Sequence, residues 1–120
     1  MSKKSRDYQD SLCDIVEAIR DIEAFIKGME YDQFFKDHKT LYAVIRALEI
    51  IGEAAKNISQ EMRQKLPQIP WKEMAGLRDI LIHHYFRIKA ETVWETIKNE
   101  LSRIKPILEC HLLVSNRDKK

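Results

Sequence analysis

The chain has 120 residues, 44% of them hydrophobic and 33% charged, which excludes a disordered or collagen-like protein and suits one domain, 1–120, with a single core. Three glycines and three prolines are too few for the turns of a sandwich or barrel. With 21 basic and 19 acidic residues the formal charge is only +2, so any nucleic acid must be held by a local patch.

Helical periodicity runs from end to end. Leu12, Ile15, Val16, Ile19, Ile22 and Ile26 recur at three- and four-residue steps and predict a first amphipathic helix, with Gly28 as its C-terminal cap. Tyr31 to Asp37 reads as a connection holding one helical turn started by Asp32. A second helix is expected from His38 to Asn57, with Val44, Leu48, Ile51, Ala55 and Ile58 facing the core. Its opposite stripe, Tyr42, Arg46, Glu49 and Glu53, is either a solvated charge ladder or the wall of a site. For Arg46 the alternatives are an ion pair with Glu49 or Glu53, and a phosphate contact.

Ser59 caps a short helix, Gln60 to Leu66, that Pro67 stops. Pro70 suits a first helical position and opens a helix from Trp71 to about Tyr85. The last helix starts near Ala90 and carries Val93, Trp94, Ile97, Leu101 and Ile104 inward. Pro106 should kink or break it, and residues 115–120 read as a frayed tail. The expected fold is all-α, a bundle of four to five helices. Cys13 and Cys110 have no metal-site or disulfide-scaffold spacing, and no apolar run approaches the roughly 20 residues of a membrane span. A reduced, cytoplasmic setting without a membrane partner is the expectation.

The chemistry concentrates in Gly76–Arg87, where Arg78, Asp79, His83, His84 and Tyr85 crowd together. On a helix, Asp79 and His83 are four apart, within reach of a hydrogen bond. Arg78 and His83 are five apart and diverge by about 140°. Bringing them together requires either local unwinding or a second chain that supplies half the site. Histidine can act as general base or acid near neutral pH, and the guanidinium fork matches phosphate oxygens. RNA carries its own nucleophile, the 2′-hydroxyl, so a base, an acid and a cation suffice for cleavage. Neither a cofactor nor a metal is called for. The structural alternative is a helix whose histidines simply border the core stripe of Met74, Leu77, Leu81 and Ile88.

The run Arg78, four residues, His83, one residue, Tyr85 resembles the signature of the HEPN superfamily, and within it the HepT-like toxins. The block Ala43–Asn57, the entry Pro70-Trp71 with Ala75-Gly-Leu-Arg78, and the opening Val93-Trp94-Glu95 extend the resemblance over about residues 10–105. It implies a homodimer with a composite site at the interface, in which Arg78 and His83 form the catalytic pair and Asp79 the supporting polar position. It further implies a ribonuclease toxin of a type VII-like toxin–antitoxin pair. The partner would be a cognate minimal nucleotidyltransferase antitoxin that transfers AMP to Tyr85. Arg87 and Lys89 depart from the family pattern and place two further positive charges beside the motif, suited either to RNA contact or to a divergent partner surface. The rival reading is a non-catalytic HEPN scaffold or substrate-binding subunit of a nucleotidyltransferase complex.

Overall fold

The computed structural model describes the backbone of residues 3–83 and 90–118, and the side chains of 9–77 and 90–114. Among the described residues every regular element is helical. These are α1 (Lys3–Phe25), α2 (Tyr31–Lys36), α3 (His38–Lys56), α4 (Gln60–Lys65), α5 (Trp71–His83), α6 (Ala90–Glu95), a π-helical segment (Thr96–Leu101) and α7 (Ser102–Asp118). Taking α6, the π segment and α7 as one rod gives six helices, one more than the upper count from sequence. The addition is the short α2.

Helix α3 lies at the centre, packed against α1 on one side and α5 on the other, while α7 covers α1. The stripe expected on α1 is the stripe it buries: Leu12, Ile15, Ile19 and Ile22 are wholly enclosed. They meet Val44, Leu48, Ile51 and Ala55 of α3 and Ile104 and Leu108 of α7 in one continuous core. Two ion pairs set α1 antiparallel to α7: Arg20 to Glu109 and Glu23 to Lys105, each 2.7 Å. Both are solvent-exposed, so they fix register more than they add stability.

Gly28 adopts φ +80°, the left-handed conformation that ends α1 without a Cβ clash. Helix α2 starts one residue before the expected Asp32, because the Glu30 backbone N–H donates to Gln33 Oε1 at 2.9 Å and fixes the entry. Asp37 caps α3 by accepting from the Thr40 backbone N–H (3.0 Å) and hydroxyl (2.7 Å). Those bonds hold its carboxyl below the usual carboxylate range. Ser59 caps α4 through the Met62 N–H at 3.2 Å, as its spacing predicts. Arg63 then reaches back to the carbonyls of Ala55 and Ile58, both at 3.1 Å, and ties α4 to the C-terminal end of α3.

Two expectations need correction. Pro70 is not the first residue of α5 but the one before it, since its carbonyl accepts the first helical bond, from Met74 N–H at 3.0 Å. Nor does Pro106 break the last helix, which runs from Ser102 through Asp118 with the proline inside it. The irregularity lies upstream, in the π turn at Thr96–Leu101, where hydroxyls engage the loosened backbone. Thr96 Oγ1 donates to the Thr92 carbonyl at 2.9 Å, and Ser102 Oγ to the Ile97 carbonyl at 3.3 Å. Pro106 is the fifth residue of α7 and lacks the amide that would bond to the Ser102 carbonyl, yet the helix continues on both sides of it.

Candidate active site on the fifth helix

Helix α5 is anchored at its first residue. Trp71 is 5% exposed, and its indole N–H donates to the Leu66 carbonyl at 3.0 Å, across the Pro67–Pro70 turn. The same carbonyl accepts from the Ile69 backbone N–H at 3.2 Å, so the indole is its second donor and ties the first residue of α5 to the turn that follows α4. Trp71→Phe removes that donor and leaves the ring. Because the Leu66 carbonyl keeps the Ile69 N–H, we expect a loss of about 0.5–1.5 kcal/mol, read as a lower urea midpoint with unchanged slope.

From Trp71 the helix advances on two faces. Trp71 and Met74 are buried, Leu77 packs against the core, and Lys72 and Glu73 are exposed. The Arg78 position is seven residues from Trp71 and continues its row, about 20° offset. The His83 position is seven residues from Gly76 and eleven from Lys72, on the outward row. The backbone is helical from Trp71 through His83, so the local unwinding considered above does not occur up to that residue. Arg78 and His83 therefore occupy positions about 140° apart on one continuous helix, and Asp79 lies between them in sequence, four before His83.

Arg46 sits on α3, the helix packed directly on α5. Its Nη1 lies 3.4 Å from Glu49 Oε1, with the arginine side chain 72% exposed and the glutamate 22%. Arg46 thus pairs with Glu49 while most of its side chain stays open to solvent. Tyr85, Arg87 and Lys89 lie outside the described residues, as does His84. The other two histidines are away from α5. His38 is exposed, 6.3 Å from the Tyr42 ring. His111 is half-buried on α7, where burial and then Lys65 push its pKa down. Trp94 packs against Phe34 at 5.0 Å and Tyr31 at 6.2 Å, with the Lys98 ammonium 4.9 Å from its ring centre, so it is a packing residue. Cys13 and Cys110 are exposed and form no disulfide. Among the described residues no helix is long and apolar enough to cross a membrane.

One feature of α5 escaped sequence reasoning. Gly76 sits mid-helix on the outward row that leads to His83, and only its place within the Arg78 motif block drew notice. A helical glycine flanked by better helix formers was the available signal.

The comparison with known proteins agrees with the motif blocks. The family model described as ribonuclease HepT-like matches residues 15–110, which include Arg46, Arg78, Asp79, His83 and Tyr85. A Methanocaldococcus jannaschii protein named "Putative RNase MJ1216" is 50% identical over 104 residues, covering 87% of this chain and 86% of its own. A Thermococcus cleftensis protein named "Probable ribonuclease HepT" is 48% identical over 100 residues, 83% of this chain and 91% of its own. No solved structure matches. With most of its length matched by one family model and by relatives of similar size, the chain belongs to the ribonuclease HepT-like family.

Proposed function

We propose that this protein is the toxin of a type VII-like toxin–antitoxin pair, a metal-independent endoribonuclease that acts as a homodimer in the cytoplasm. The observation that carries the reading is the family match over residues 15–110 with Arg78 and His83 both in place. Helix α5 supports the composite form of the site: it is continuous through His83, so one chain holds the two positions on diverging faces.

In this reading His83 takes the proton from a ribose 2′-hydroxyl, and the 2′-oxygen attacks the adjacent phosphorus. The P–O5′ bond breaks, and the departing 5′-oxygen receives a proton from an acid in the site. Arg78 of the opposite copy stabilises the extra negative charge of the phosphorane through its planar fork. Asp79, four residues before His83, orients the imidazole and favours its protonated form. Arg87 and Lys89 draw the RNA backbone towards the site. Arg46 adds a phosphate contact only if it leaves Glu49, and an exposed pair of this kind resists that by about 1 kcal/mol at most.

Tyr85 is the switch. A cognate minimal nucleotidyltransferase transfers AMP to its phenolic oxygen. Tyr85 is seven residues from Arg78 in sequence, a spacing that on a continued helix would put both on nearly one row, so the new phosphodiester would compete with RNA for the guanidinium.

Purified dimer incubated with cellular RNA in excess EDTA provides the test. The expected products carry a 2′,3′-cyclic phosphate on one fragment and a 5′-hydroxyl on the other. No cleavage by folded dimer would point to the scaffold reading, and 5′-phosphate ends would overturn the mechanism.

A further inference from the structure

The exposed side of α3 changes character along its length. Between Lys36 and Leu48 the chain holds three cations, Lys36, Lys39 and Arg46, and one acid, Asp37. The Asp37 carboxylate is already engaged by the Thr40 N–H and hydroxyl. Further along, Glu49 and Glu53 turn the row acidic. In the basic part His38, Lys39, Tyr42 and Arg46 are all exposed, the tyrosine by 54%. Three- and four-residue steps set Tyr42 on the surface between Lys39 and Arg46, about 6 Å from one turn to the next. The His38 ring lies beside it, 6.3 Å between centroids. On a chain whose formal charge is only +2, this is a local basic patch with an aromatic face inside it.

The topology carries the motif towards that patch. Arg63 ties α4 to the C-terminal end of α3, and the Trp71 indole ties the start of α5 to the end of α4. Because α5 packs along α3, it must run back from there, antiparallel. Its 13 residues carry it about 18 Å, into the N-terminal half of α3. The His83 end of α5 therefore lies along the half of α3 that bears Tyr42 and Arg46.

We propose that Tyr42 is a base-stacking residue for single-stranded RNA, holding an unpaired base near the scissile phosphate while Lys39 and Arg46 meet the phosphates on either side. The inference rests on the ribonuclease reading above and gives it a substrate class, RNA whose bases are unpaired. A phenol ring offers a face on which any base can stack, and only unpaired bases can be splayed onto it. Arg46 exchanges Glu49 for phosphate at the small cost of an exposed ion pair. The other exposed aromatic of this region suits RNA less. Phe35 lies 6.1 Å from Tyr31, which lies 6.2 Å from Trp94, and exposed Asp32, Glu91 and Glu95 sit on the same two helices.

The test uses 2′-O-methyl oligoadenylate, which lacks the 2′-hydroxyl nucleophile and so stays whole. It is offered single-stranded, and paired with 2′-O-methyl oligouridylate. Fluorescence anisotropy gives the Kd for wild type, Tyr42→Leu and Tyr42→Phe. Leucine is predicted to raise the single-strand Kd by about tenfold or more and to leave the duplex Kd unchanged, while phenylalanine keeps the wild-type values. Leucine should also leave the slope of log Kd against log salt unchanged. Arg46→Gln should lower that slope by about 0.7, the contribution of one phosphate on a single strand. The same single-strand Kd for leucine and wild type would overturn the proposal. Equal losses for single strand and duplex, or for leucine and phenylalanine, would overturn it too. The nuclease reading is judged separately, on cellular RNA. A protein that cuts RNA equally well with leucine at this position loses only the stacking contact. A folded protein that cuts nothing, yet binds the single strand through Tyr42, keeps the contact and loses the nuclease.

Discussion

Replacing His83 by alanine is expected to lower RNA cleavage by about 10²–10⁴-fold, the usual contribution of a positioned general acid or base. His83 is the last described residue of α5, twelve residues beyond the anchoring Trp71, so the change should leave α5 and the core intact. Far-ultraviolet circular dichroism and sedimentation, both unchanged, would separate lost chemistry from lost structure. Arg78→Lys is the companion variant. It keeps the charge and loses the planar fork, so it should recover little of the activity that Arg78→Ala removes. Equal cleavage by His83→Ala and wild type would move the protein to the scaffold reading.

The second large effect is on stability. Phe34 is wholly buried on the six-residue α2, its ring 5.0 Å from that of Trp94 on α6. Helix α2 also touches α3, so this one side chain joins the start of the last rod to the central helix. Phe34→Ala should cost about 3–5 kcal/mol through lost transfer energy and an incompletely filled cavity. A domain of this size has only about 5–15 kcal/mol in total, so the urea midpoint should fall by about a fifth or more. A change below about 1 kcal/mol would mean that α2 docks on the bundle without stabilising it.

What could be read from sequence was what one helix determines by itself. The stripes of α1 and α3 follow from a 3.6-residue period, and every residue assigned to them is buried. The Ser59 cap and the Gly28 stop are local chemistry, read correctly for the same reason. The departures come where the outcome depends on a neighbour. Glu30 is a poor cap by type, and it starts α2 because Gln33 folds back onto its N–H. Pro106 sits inside α7 without ending it, and the π turn just upstream is a feature no propensity signals.

The candidate site divides in the same way. Arg78, Asp79 and His83 stand out by residue type and spacing, and their divergence by about 140° is arithmetic that the continuous backbone of α5 bears out. Both readings of Arg46 were open in sequence. The choice of Glu49 depended on side-chain rotamers, with the glutamate half-covered by the fold and the arginine in solvent. In the composite reading, whether Arg78 and His83 converge would be a property of two chains, which the period of one chain does not encode.

The composite site is the central claim, and mixing tests it most directly. Arg78→Ala and His83→Ala chains are each expected to be nearly inactive alone. Unfolded together and refolded at equal amounts, they should form mixed dimers in which one of the two sites has both residues intact. Random pairing makes half of the dimers mixed, so the account predicts recovery of about one quarter of wild-type cleavage. Mixed dimers verified by mass spectrometry that remain as inactive as either parent would contradict it.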